Sequence, residues 1–180
     1  AHADDAARSE FKETLDYLRE TAAPSAMRSM RQELTLSGGT ARDHLKADYR
    51  IIYEERFPPG VTANAHHVIP FHLGTDAETK QFIELASEGG FNINGWADNG
   101  FKAASSYHPG GHNKYNLYCQ MRLKKVWEEV KDCNITKEDA AELLRFESKR
   151  LKNLMNDNLD DATVNRLGER LLREEFPDAL

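Results

Sequence analysis

The sequence predicts an α+β protein, with a small core of two strands and a helix embedded in mainly helical N- and C-terminal regions. Three observations predict it. Apolar residues recur at helical spacing up to residue 57 and again after residue 134. Between them "FPPG" at 57–60 ends the helical pattern, and an extended stretch and two Asn-Gly turn signals follow. A long amphipathic segment, "GGHNKYNLYCQMRLKKVWEEVKDC", then closes the middle part. The expected division is a helical region over 1–57, a core over 58–133, and C-terminal helices packed on it over 134–180.

Each element has its own reason. Ala7, Phe11, Leu15 and Leu18 place a helix over 3–22, which Pro24 breaks, and a short helix follows over 25–34. "LSGGTA" reads as a turn. Leu45, Tyr49 and Ile52 share one side of a helix over 41–56. "VTANAHHVI" reads as extended chain ending at Pro70. "DAETKQFIELASEGG" reads as a helix, with Asp76 near its start and Gly89 or Gly90 as its stop. Turns are expected at Asn94-Gly95 and Asn99-Gly100, with a short strand over about 100–104. Tyr115, Cys119, Leu123, Val126 and Val130 form the stripe of the next helix. "TKED" at Thr136 resembles a capping box with Asp in place of Glu, opening a helix to about Met155. Val164, Leu167, Leu171 and Leu172 are the buried side of the last helix.

The 180 residues suffice for one domain with a real core, and 30% charged against 39% hydrophobic residues is ordinary for a soluble, helix-rich protein. No apolar run approaches a membrane span. The start, "AHADDAARSE", is too polar and acidic for a signal peptide, and its lack of Met suggests a fragment or a processed chain of a larger parent protein. Cys119 and Cys133 lack CxxC spacing and read as two thiols rather than a disulfide. The net charge of −6 argues against coating nucleic acid through overall charge. Yet residues 101–131 hold six basic against two acidic side chains, so that segment is +4 and the remainder −10.

Four of the seven histidines form two pairs, His66–His67 in "AHHVIPFHLG", which also holds His72, and His108–His112 in "NGFKAASSYHPGGHNKYN". On a strand, His66 and His67 point to opposite faces, so they cannot normally do the same job. His108 and His112 are four apart. "PGG" between them opposes a regular helix, but a tight loop leading into one can converge both rings. Three neutral imidazoles with an open position suit a catalytic divalent metal, Zn²⁺ most naturally. A fourth histidine kept off the metal can deprotonate water, since its ordinary pKa of about 6.5 is close to working pH. With cations nearby, that parts list fits phosphodiester hydrolysis. The plain alternatives are chance histidines, a structural zinc knot, and a non-catalytic metal-binding interaction module.

The order His-His, a proline three residues on, a later Asn and then His-x3-His resembles the HNH nucleases of the ββα-metal fold. "AHH" with the later "NG…HPGGHNKYN" is similar to the AHH branch of the HNH/endonuclease VII superfamily, and Asn99 nine residues before His108 matches the colicin-type DNase spacing. The resemblance covers residues 61–131. It implies a metal-dependent endonuclease acting on DNA and leaving 5′-phosphate and 3′-hydroxyl ends; with no recognition helix or finger evident in the sequence, little sequence specificity is expected. It implies His66, His112 and His108 as ligands of one divalent ion (Zn²⁺, Mg²⁺, Mn²⁺ or Ni²⁺), His67 as general base, and Asn99 as the tie that holds the loop bearing His67. "PGG" departs from the colicin pattern, so His108 is either the third ligand or a contact to the scissile phosphate. Lys102, Lys114 and His72 are candidate substrate contacts. Tyr115, Asn116, Trp96 and Trp127 read as structural, and His2 and His44 as surface. The resemblance further implies the toxin domain of an interbacterial effector, delivered to act in the target-cell cytoplasm and matched by an immunity protein. A phage or housekeeping HNH endonuclease is the other enzymatic reading.

Overall fold

The computed structural model describes residues 38–58, 64–104, 106–108, 111–158 and 163–180. The helices expected over 3–22 and 25–34 lie outside them. The described elements are α1 (Gly38–Tyr53), β1 (Asn64–His67), a 3₁₀ turn (Phe71–Gly74), α2 (Lys80–Glu88), α3 (Trp96–Asn99), β2 (Gly100–Ala103), α4 (Asn113–Val130), α5 (Lys137–Asp157), α6 (Val164–Glu175) and a 3₁₀ turn (Pro177–Ala179). The architecture is the expected α+β one: one two-stranded antiparallel sheet amid helices.

Some boundaries move for physical reasons. α1 begins at Gly38, inside the stretch read as a turn, because buried Ala41, Leu45 and Tyr49 fix it by packing. It ends at Tyr53 rather than 56, where Glu54 takes a left-handed φ of 55°. α2 starts at Lys80, not Asp76. Asp76 builds the preceding turn, its carbonyl accepting Lys80 N–H at 2.8 Å and its carboxylate accepting Glu78 N–H at 2.9 Å. Gly90, at φ 99°, supplies the left-handed residue after α2.

α3 lies where two turn signals pointed to loop. Its first N–H, on Trp96, is taken by the Asp48 carboxylate of α1 at 2.6 Å, a cap supplied from 48 residues away. The Trp96 ring meets Tyr49 edge-on at 4.6 Å. Such a helix has no local sequence signature.

The sheet pairs His66 with Phe101 and His67 with Gly100. One face, with Phe101 and Ala103, joins the main core of Val68, Phe82, Tyr115, Leu123, Leu144 and their neighbours. The opposite face, with Ala65, meets Leu45, Tyr49 and Trp96 in a smaller cluster. α2 packs on α5, and α4 on α6.

The stripes expected on α4 and α6 are buried, except that Val130 is only partly covered. Thr136 and Asp139 form the reciprocal capping box, at 3.1 and 2.8 Å. Both thiols are free, Cys119 buried and Cys133 exposed. The helices are locked by a buried ionic cluster that periodicity does not reveal. Glu147, 2% exposed, takes two bonds from Arg122 at 2.7 and 3.1 Å and one from Arg150 at 3.0 Å. Tyr118 O–H gives to Glu175 at 2.6 Å.

Candidate active site

Alternation along β1 sends His66 and His67 to opposite faces. His66 faces the start of α4, where its ring lies 5.9 Å from Tyr115. Tyr115 in turn donates its hydroxyl to the Val68 carbonyl at 2.6 Å and pins the end of β1 to α4. His112 is the N-cap residue of α4. His108 lies on the loop before it, its N–H bonded to Ala104 O at 3.1 Å, while the neighbouring Tyr107 carbonyl takes Val164 N–H at 2.9 Å. A loop, not a helix, therefore converges the two rings.

The ring of His66 lies 4.1 Å from that of His108 and 5.4 Å from that of His112, with 4.4 Å between the last two. One nitrogen from each falls within 4.8 Å of the others, and among the described residues no other group of three potential ligands does so. Both His66 ring nitrogens are buried without a hydrogen-bond partner, whereas most buried polar atoms in folded proteins have one. Burial, then the neighbouring His108 and His112, holds His66 well below its ordinary pKa. Burial, then His112, pushes His108 down to about 4. His66 and His108 are thus neutral at pH 7, with nitrogen lone pairs available. The donor set fits one divalent ion held by His66, His108 and His112.

His67 stands apart from this cluster. Its Nε2–H donates to Asn94 Oδ1 at 2.9 Å, which leaves the lone pair on Nδ1. Its ring also contacts Phe71, 5.7 Å away, and burial pushes its pKa down to about 4 against the opposing bond to Asn94. The Arg42 charge, on α1, is felt by both His67 and His108.

Asn99 touches none of the rings. Wholly buried, it accepts Ile69 N–H at 2.7 Å and donates to Ile69 O at 2.8 Å and Ile93 O at 2.9 Å. It therefore braces the chain just after His67, and is a positioning residue. Of the candidate substrate contacts, Lys102 is exposed on β2, on the His67 face of the hairpin. Lys114 is partly buried in the first turn of α4, where its N–H meets Asn165 Oδ1 at 2.8 Å. His72 is exposed on the 3₁₀ turn, beside Phe71. Trp96 and Tyr115 are core residues, Trp127 stacks on Phe82, and His44 is half-buried rather than on the surface.

Two residues beside the site escaped sequence reasoning. Asn94 carried a signal, its Asn-Gly pair, but one that reads as a turn. Asn94 is set in turn by a relay: its N–H donates to Asn92 Oδ1, Asn92 N–H to Asp98, and Asp98 pairs with Arg145 of α5 at 2.9 Å. Arg42 carried no signal at all.

A two-stranded hairpin and a helix start gathering three imidazoles, with a fourth histidine held off them, define the ββα-metal class of nucleases. The chain belongs to the AHH family, a nuclease family of the HNH/endonuclease VII superfamily with conserved AHH, whose model matches residues 49–161. The AHH triplet is Ala65, His66 and His67. Comparisons with curated proteins and with solved structures found no match. Among the described residues no helix is long and apolar enough to cross a membrane.

Proposed function

We propose that this nuclease cleaves DNA with little sequence specificity, using one divalent metal ion, and that it is the toxin domain of an interbacterial effector. The observation that carries the catalytic reading is the segregation of His67 from the three-imidazole cluster. A module that only binds metal has no use for a fourth histidine fixed by Asn94 on the other face of the same strand.

His66, His108 and His112 would hold the ion, which when bound supplies Lewis-acid stabilisation of charge developing on the phosphate. His67 Nδ1 takes the proton of the attacking water. Asn94 keeps the ring in the tautomer that can do so, and Asn99 fixes the backbone next to it. Arg42, Lys102, Lys114 and His72 surround this chemistry as candidate contacts for the phosphate backbone. Backbone-dominated binding should weaken steeply with salt.

Resemblance to toxin-tip domains supports delivery from a larger parent effector into a target-cell cytoplasm, and a cognate immunity protein in the producer. Toxicity on cytoplasmic expression, relieved by a co-expressed neighbouring gene product, tests this against a phage or housekeeping endonuclease, which would show no such relief. The enzymatic reading is tested by plasmid degradation in EDTA and after addition of Mg²⁺, Mn²⁺, Zn²⁺ or Ni²⁺, beside His67→Ala. Metal-dependent cutting that disappears in the variant is expected. Failure to cut DNA with any of these ions would refute the DNase reading, and a repeat on RNA would show whether the substrate is the error.

A further inference from the structure

α6 lies outside the segment that the family model matches, yet it is built against the active end of α4. A Cβ on Gly168 would sit 2.3 Å from the backbone of Tyr115, so only glycine lets the two helices approach this closely. Asn165 Oδ1 takes the Lys114 N–H at 2.8 Å, two residues from His112. α6 therefore packs directly against the start of α4, whose N-cap is His112.

That side bears a concavity of about 440 Å³, lined by Arg166, Leu167, Glu169, Arg170 and Arg173. Three guanidinium groups stand here with two carboxylates, Glu169 in the lining and Glu174 beside Arg170, on a chain whose overall charge is −6. Arg166 is exposed and in no ion pair among the described residues. Arg173 is paired with Glu169 at 2.6 Å, but Arg173 is exposed and Glu169 only partly covered, and such i,i+4 surface pairs hold weakly. Arg170 is held at 2.6 Å by Asn158 and at 3.4 Å by Glu174. Glu169 is itself held below the ordinary carboxylate range, first by Arg173 and then by Lys114 and Arg166, so the charge of Lys114 reaches this face. Guanidinium groups bind phosphate by paired N–H bonds, and a weakly paired arginine can exchange an exposed carboxylate for one.

We propose that the outer face of α6 is a second nucleic-acid contact surface, where Arg166, Arg170 and Arg173 take backbone phosphates of the strand that crosses the histidine centre. The inference rests on the nuclease reading, and its chemistry is sequence-independent phosphate binding. Glu169 works against it, which gives the test two signs.

The test is binding of the full chain to a short DNA duplex by fluorescence anisotropy over a range of salt, together with KM for cleavage. Arg166→Ala/Arg173→Ala should weaken binding and raise KM several-fold. The slope of log affinity against log salt should become shallower by about 1 for each phosphate no longer held. Glu169→Gln should shift affinity the other way. Unchanged melting temperatures would separate these effects from folding. If both variants bind and cut as the wild type does, with the same salt slope, the α6 surface does not hold DNA, and capture of an acidic protein by this face would be the reading that replaces it. A wild type that neither binds nor cuts DNA would instead overturn the nuclease reading and this inference with it.

Discussion

His66 and His67 are consecutive residues of one strand, and the two faces of the hairpin treat them in opposite ways. On the α4 face, His66 is buried with neither nitrogen hydrogen-bonded, beside two more imidazoles. On the other face, His67 is fixed by a bond from Nε2 to Asn94. Unsatisfied buried nitrogens cost stability unless something else takes their lone pairs. A ring held by one nitrogen keeps the other for chemistry. On the proposed reading, the first face receives a cation and the second presents a base in one orientation.

The largest effects should break the pair apart. His66→Ala should abolish both metal retention and cleavage, because it removes the most buried of the three rings. His67→Ala should lower turnover by about 10²–10⁴, the usual contribution of a general base, while metal stays bound. Isothermal titration with Zn²⁺ alongside plasmid cleavage checks both. Tight metal binding in His66→Ala, or absent metal in His67→Ala, would reverse the assignment of the two faces.

Asn99→Ala should act through the fold. It leaves Ile69 N–H, Ile69 C=O and Ile93 C=O buried without their partner, a loss of about 3 kcal/mol or more. Urea unfolding measures this. A variant of wild-type stability but without activity would mean that Asn99 acts on the chemistry directly.

The faces should also respond to acid together when metal-free. A histidine whose folded pKa lies below its unfolded value takes up a proton on unfolding, so falling pH favours the unfolded chain. His67 and His108 are pushed down to about 4, and His66 well below its ordinary value. Stability in EDTA should therefore be full near pH 7 and decline from about pH 6.5 to about pH 4. His67 alone accounts for about 3 kcal/mol of that window. Urea midpoints measured at intervals across it check the slope, and His67→Ala should flatten it. A wild-type midpoint independent of pH would show that the rings are not buried as described.

Legibility in the sequence followed the range of the interactions. The AHH triplet, Asn99 and the two later histidines could be read because their chemistry is carried by residue type and spacing. The capping box at Thr136 and the stripes of α4 and α6 are local patterns, and they were found where expected. α3 was not, because its cap is Asp48 and its packing partner Tyr49, both far away in the chain. The hold of Asn94 on His67 spans 27 residues, and the Arg122–Glu147–Arg150 cluster joins two helices. Periodicity records which side of a helix is buried, not which buried charge meets which. Arg42 reaches the site only because α1 packs on the hairpin.

The smallest effect sharpens the comparison most. Asn94→Ala removes one hydrogen bond from His67 and nothing from the three-imidazole cluster. Without the Oδ1 acceptor, either ring nitrogen can carry the proton, and the ring can rotate away from its position. A neutral hydrogen bond contributes about 1 kcal/mol, so turnover should fall about tenfold, far less than in His67→Ala. Metal affinity should not change, and KM should move little, since Asn94 is 1% exposed and cannot reach a substrate. The double variant Asn94→Ala/His67→Ala should be no worse than His67→Ala alone, because the Oδ1 bond serves catalysis through the ring. Additive losses in that double variant would show that Asn94 supports catalysis by some route other than His67, and the two faces would no longer divide so cleanly.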